Sequence, residues 1–379
     1  MAELAPPPVR LQLFVGPAVP LPAPRVVLDA LEEVTVESGS GAAQSGFELT
    51  FRVPKKSPLE TLFLLTGGSG LPILRVVVAV TVAGSTEVLV DGVMTHHEVT
   101  TGGPTAQLKV TGKDLTALMD LVPLDGVPYP AMPPAARVLV ALAKYGVLGC
   151  VPLVIPSLFE DIPIPTDRIP RHQGTDYAYV RALADEVGHV FYLEPGPVPG
   201  VSTAYWGPEI RVGVPQPALN GGLDAAHDNV TGLQFAFDKE SKEMPVVYVQ
   251  EPFSKAPIPI PIPDLNPLAP PLGVVPPLPV RLTPLPDTAK LNPVAALMRG
   301  VGYATQHSDS VTATGTLDVA RYGRVLRSRR LVGVRGAGDP FNGLYYVTSV
   351  THSIRRGSFT QSFGLARNGL LSTLPVVPT

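Results

Sequence analysis

Short runs in which aliphatic and polar residues alternate dominate the first third of the chain. Apolar positions two apart are the signature of strands with one buried face, and they predict strands over 9–15, 25–28, 34–36, 47–53, 74–82 and 87–90. The run 71–82 is apolar almost throughout, but it contains Pro72 and Arg75 and falls short of the roughly 20 residues that a membrane-spanning helix needs. It reads as a buried strand, and no membrane insertion is expected. Between the runs lie Ser38-Gly39-Ser40-Gly41, Gly67-Gly68-Ser69-Gly70, Ala83-Gly84-Ser85 and Asp91-Gly92, which take positive φ at little cost and so predict chain reversals. Residues 1–122 are therefore expected to form a small β-barrel or sandwich.

From 123 to 208 the period changes. Two helices are predicted, 134–145 and 176–187, among proline-bounded extended pieces. In the second, Tyr177, Val180, Leu183 and Val187 recur at helical spacing, Thr175 can cap the start and Gly188 can supply a left-handed stop. Asp176 suits the positive end of that helix dipole, and Asp185 and Glu186 suit its solvent face. This region reads as a small α/β insert.

Strand-like runs return at 233–237 and 246–249, and prolines then recur every few residues from Pro252 to Pro286. A proline inside a helix costs about 3 kcal/mol, and in a sheet it removes a donor, so this segment is expected to be polyproline-like or irregular. It also carries Ile258, Ile260 and Ile262, unlike a solvated linker, and is expected to pack on something. A short helix over 293–300 precedes strands over 310–317, 330–334, 343–354 and 358–366. The chain thus divides into a β-unit (1–122), an insert (123–208), a second β-unit (209–250 with 308–370), a proline-rich arm with a short helix (251–307) and a tail (371–379). The class is β-rich α+β.

Composition narrows the chemistry. With 379 residues, 45% of them hydrophobic, the chain can bury more than one core, and its positive mean hydropathy suggests subunit contacts that hide apolar surface. A formal net charge of -3 argues against nucleic acid as the main partner. The single cysteine, Cys150, excludes an internal disulfide framework, and the acid at Glu3 with prolines at 6–8 fits no secretory signal, so assembly in a reducing cytoplasm is expected. His96-His97-Glu98 resembles a metal cluster, but neighbours on a strand face opposite ways, and the other histidines lack ligand spacing. The glycines of 67–70 and 333–338 open no helix and read as turns rather than phosphate loops. No serine elbow, Cys–His pair or carboxylate pair has a local signature, so no catalytic residue, metal or cofactor is expected. Trp206, beside a Gly-Pro turn, reads as core.

The last third is locally basic. Arg324, Arg327, Arg329, Arg330, Arg355 and Arg356 belong to a run in which Asp339 is the only acid, without the interleaved aromatics of a nucleic-acid groove. Together with Ile258, Ile260 and Ile262 they are the candidate subunit-interface residues, with protein as the expected partner.

Several stretches in order resemble the late-control protein D family of baseplate hubs. They are 88–93 (VLVDGV) leading into 108–121 (LKVTGKDLTALMDL), 173–192 (QGTDYAYVRALADEVGHVFY), and 343–347 (GLYYV) through His352 to 363–368 (FGLARN). The resemblance implies a structural protein of a contractile phage tail or phage-tail-like injection system. It implies two tail-tube-like β-barrel domains, a homotrimer that presents six barrels, and a joint between a three-fold spike and the six-fold inner tube. Partners would be a separate spike protein, the inner tube protein and other baseplate proteins, since this sequence ends at Thr379 where type VI spike proteins continue into a needle. The rivals are a baseplate-associated cell-wall hydrolase, which needs a catalytic signature, and a receptor-binding β-protein, disfavoured by 6% aromatic content.

Overall fold

Strands account for most of the regular structure in the computed structural model, which describes residues 9–374 except 18, 41–43, 55–72, 102–104, 158–161, 167, 224–226, 252, 255, 265 and 292. The first β-unit contributes β1 (Arg10–Gly16), β2 (Leu21–Pro22), a short helix α1 (Arg25–Ala30), β3 (Leu31–Gly39), β4 (Gly46–Pro54), β5 (Arg75–Val82), β6 (Ser85–Thr101), β7 (Thr105–Asp114) and α2 (Thr116–Met119). The insert contains α3 (Pro134–Ala143), β8 (Cys150–Val154), α4 (Asp176–Val187), β9 (Val190–Pro195) and β10 (Ser202–Gly207). Then come β11 (Gln216–Asn220), β12 (Val230–Phe237), β13 (Glu243–Gln250), β14 (Pro257–Pro261), β15 (Gly273–Val275), β16 (Arg281–Pro284) and α5 (Pro293–Gln306). The chain closes with β17 (Val311–Asp318), α6 (Val319–Tyr322), β18 (Leu331–Arg335), β19 (Gly343–Arg355), β20 (Ser358–Arg367) and β21 (Leu370–Ser372).

Strands from both ends of the chain form one sheet. Its order is β12-β17-β20-β19-β3-β4-β7-β6-β5-β1-β2, with β18 beside β19 and β11 beside β18; the β11–β18 pair is parallel and the rest are antiparallel. The join is β3 on β19, in register from Gly39 opposite Ser349 to Glu33 opposite Arg355. Two apolar cores lie along this sheet. One gathers Val34, Val36, Leu49, Phe51, Leu108 and Val110, the other Leu219, Val311, Leu317, Val332, Tyr345 and Val350, all 0–1% exposed. Alternation does what the pattern requires: in β7, Ala106, Leu108 and Val110 are buried between exposed or half-buried neighbours. Among the described residues the sheet does not close on itself.

Two local readings of the first β-unit change. Residues 25–28 belong to α1 rather than a strand, because the chain must turn between β2 and β3 and buries Val27 in doing so; tertiary context overrides β propensity there. Asp91-Gly92 is not a hairpin turn but the middle of β6. A Cβ at position 92 would lie 2.2 Å from the Lys113 carbonyl oxygen, so the glycine serves a close strand approach. Ala83-Gly84 does make the β5–β6 turn, with φ of 49° and 84°. The cluster 67–70 and Gly41 lie outside the described residues.

In the insert, α4 starts and stops as its sequence dictates. The Thr175 hydroxyl accepts from the Ala178 amide at 3.2 Å, and Gly188 ends the helix at φ 71°. The helices α3 and α4 cover the three-stranded sheet β8-β10-β9, and Trp206, fully buried on β10, donates its indole N–H to the Val180 carbonyl at 3.2 Å.

The proline-rich segment is more regular than expected. β14 pairs antiparallel with β13, β16 pairs parallel with β13 on its other side, and β15 pairs with β21. The spacing of the prolines explains it. Pro257, Pro259 and Pro261 alternate with Ile258, Ile260 and Ile262, and the Ile262 amide donates to the Pro245 carbonyl at 2.9 Å. Strand periodicity then turns the Ile258 and Ile260 amides the same way, while each missing proline donor faces the free edge, the place a strand tolerates it. The following helix, α5, is longer than the predicted 293–300, because Gly300 and Gly302 sit inside it as contact points rather than breaks. A Cβ on Gly302 would come within 2.4 Å of the Gly188 Cα, and one on Gly300 within 2.7 Å of Ile262 Cγ1.

Candidate interaction site

The arginine run begins where α6 ends. Asp318 caps that helix, its carboxylate accepting from the Ala320 amide at 2.9 Å, and Gly323 stops it at φ 75°. The loop 323–330 then crosses to the first β-unit and the insert. Its centre is fixed by Gln361, which accepts from the Leu326 amide at 2.9 Å, returns a bond to the Leu326 carbonyl at 2.8 Å, and reaches His352 Nδ1 at 3.0 Å. Arg329 takes a left-handed backbone (φ 60°), unusual for a non-glycine residue, and is held there by its amide bond to the Val347 carbonyl at 2.8 Å.

The four arginines of this loop do different things. Arg327 pairs with Glu87 on β6. Arg329 is almost buried, with its guanidinium 4.0 Å from the centre of the Tyr192 ring and 3.7 Å from Glu194 on β9. These two bind the second β-unit to the first and to the insert. Arg324 and Arg330 are exposed and have no carboxylate partner among the described residues. They line a cleft of 590 Å³ with Arg327, between the β5–β6 turn and residues 214–217.

The remaining candidates lie elsewhere. Arg355 pairs with Glu33 across the β19–β3 join at 2.7 Å, and Arg356 donates to the Asp29 carbonyl. Both sit beside a second, more apolar cleft of 380 Å³ lined by Leu11, Leu28 and Phe359. Ile262 is buried against Val247 and Ala296, Ile260 is partly buried, and Ile258 is 47% exposed. Sequence reasoning missed Glu87, Tyr192 and Glu194, for no local pattern links them to a loop so distant in the chain.

A polar cluster lies inside the insert. His172 Nδ1 is 3.0 Å from the Tyr129 hydroxyl and its Nε2 is 3.7 Å from Asp176 Oδ1, while the Tyr145 hydroxyl donates to Asp176 Oδ2 at 2.6 Å. The His172 and Asp176 side chains are 0% and 3% exposed, and Asp176 occupies the first turn of α4 where the dipole favours it. Among the described residues no three His, Cys, Asp or Glu side chains gather as metal ligands, and no helix is long and apolar enough to cross a membrane.

No protein-family model and no curated protein sequence matches the chain. Solved structures do. A tail protein from Neisseria meningitidis MC58 is similar over 96% of this chain and 98% of its own, with a TM-score of 0.64 at 14% identity. The 43 kDa tail protein of prophage MuSo2 from Shewanella oneidensis is similar over 95% and 99%, with a TM-score of 0.63 at 12% identity. An E. coli component of the type VI secretion system, itself described as structurally similar to the T4 bacteriophage tail proteins gp27 and gp5, is similar over 92% of this chain and 76% of its own, with a TM-score of 0.53 at 13% identity. The fold is that of phage tail proteins and of type VI spike and hub-like proteins, the group that the sequence resembles.

Proposed function

We propose that this chain is the central structural hub of a baseplate, in a phage tail or a related contractile injection system, and that it works as a symmetry adaptor rather than an enzyme. The observation that carries the reading is the end-to-end match to tail proteins, 96% of this chain against 98% of its neighbour, at a TM-score of 0.64. In this reading the two β-units, residues 1–122 and 209–250 with 308–370, each act as a tail-tube-like barrel. Three copies then present six such units to the inner tube and a three-fold face to a separate spike. The two distinct apolar cores along one sheet support that division.

The hub assembles in the bacterial cytoplasm and nucleates the first tube ring. Light scattering on the purified chain, alone and with the tube protein encoded nearby, tests this. A trimer that seeds tube polymerisation is the expected result; a stable monomer indifferent to tube protein overturns the proposal. Deleting the gene should abolish tube assembly, and free tubes of normal length in the mutant would contradict the nucleating role.

A further inference from the structure

We infer that the 590 Å³ cleft between the β5–β6 turn, residues 214–217 and the loop 323–330 is a docking site for an acidic, partly aliphatic segment of a neighbouring protein, with Arg324 and Arg330 as the receiving groups. The inference goes beyond the tail reading and stands without it, since it rests on charge and shape alone.

Three guanidiniums share the cleft with one carboxylate, Glu87, and Arg327 already occupies that carboxylate. Arg324 and Arg330 are left without an ion pair among the described residues, and Glu194, already paired with Arg329, acts on Arg330 from outside the cleft lining. Burial, and after it the charge of Arg330, push the Arg327 guanidinium below its ordinary range. The chain thus holds like charges together at a place where Glu87 and Glu194 neutralise them only in part. An incoming carboxylate removes that repulsion and gains charge-assisted hydrogen bonds from planar, forked donors.

The lining also selects the class of partner. It includes Pro215 and Val214, the last 92% exposed, so part of the wall offers aliphatic contact beside the charge. A free inorganic anion would leave that part uncovered. Tyr, Phe and Trp are missing from the lining, so it offers no surface on which bases stack, which disfavours single-stranded nucleic acid. Arg327 and Arg329 hold the loop on Glu87 and Glu194, and Gln361 fixes its centre, so the two receiving arginines stand on a rigid base that loses little freedom on docking.

A fluorescein-labelled peptide of sequence Glu-Leu-Glu-Glu-Leu-Glu, titrated with the full chain at low salt and followed by anisotropy, tests the site. Binding is expected, weakened roughly ten-fold or more by the double substitution Arg324→Glu/Arg330→Glu, as loss of charge-assisted contacts implies. It should be weakened comparably when the peptide carries Gln for Glu. Arg321→Glu, which alters an exposed arginine outside the cleft lining, should leave binding within about two-fold. Circular dichroism of each variant checks that it is folded. Absence of peptide binding, equal binding by the double variant, equal loss in Arg321→Glu, or full displacement by millimolar inorganic phosphate or by an oligo-dC strand each overturns the inference.

Discussion

Arg75 on β5 and Asp91 on β6 form a two-pronged pair, Nε to Oδ1 and Nη2 to Oδ2, each at 2.7 Å, with side chains 3% and 0% exposed. The pair is also a clamp between layers. Arg75 donates a further bond to the Gly200 carbonyl at 3.0 Å, and the Ser202 hydroxyl donates to Asp91 at 3.4 Å, so the large sheet is tied to the insert. Removing one partner of such a buried pair leaves an uncompensated charge. Asp91→Ala is expected to cost about 3–5 kcal/mol, read as a lowered urea midpoint, whereas replacing both residues by apolar side chains costs much less. Equal losses for the single and double variants would contradict this account.

Gly302→Ala sets a methyl group against the Gly188 Cα, 2.4 Å away, and its three nearest contacts are all Gly188 backbone. The packing of α5 on the end of α4 must open, at a cost of about 1–3 kcal/mol, as overpacking of a close contact implies. Gly84→Ala meets open space, so its cost is only the strain of a left-handed residue bearing a Cβ, about 1 kcal/mol. Thermal melts of the two variants check the order; a Gly84 variant less stable than the Gly302 variant would overturn it.

Burial lowers His189 to about 4 and His352 to about 3, against about 6.5 in an unfolded chain. Below pH ~6.5 the unfolded chain therefore binds protons that the folded one refuses. The stability these neutral histidines support is complete above pH ~6.5 and is lost as pH falls towards about 4, by about 3 kcal/mol for each. Urea midpoints measured across this window should fall, and His352→Gln should reduce the slope. A variant with the parental slope would sink the assignment.

Cys150 is 3% exposed, and burial, with Asp91 nearby, pushes its thiol up to about 11. Because the thiolate is the reactive form, the native chain should react slowly with a disulfide reagent at neutral pH, and one equivalent should appear on unfolding in denaturant. Rapid reaction of the native chain would show that β8 opens.

Elements whose ends are encoded in neighbouring residues were legible in the sequence. The helix α4 carries its cap at Thr175 and its stop at Gly188, and β7 carries its alternation, so each could be read within a dozen positions. The same local logic failed at Asp91-Gly92, where a turn dipeptide sits in a strand because Arg75 and the Lys113 carbonyl need it there. It failed again in the proline-rich segment, where strand pairing depended on which edge each missing donor faced. The basic loop was visible as composition, but composition could not divide it into two arginines held by Glu87 and Glu194 and two left facing a cleft.

What the sequence determined by itself was the kind of those elements whose alternation, capping and turn chemistry act over a few residues, such as α4 and β7. Only the tertiary structure decided that β3 pairs with β19, making one sheet from the two ends of the chain, and which buried charges meet. Those are long-range choices, set by which surfaces exclude water together and which charges that exclusion leaves in need of a partner.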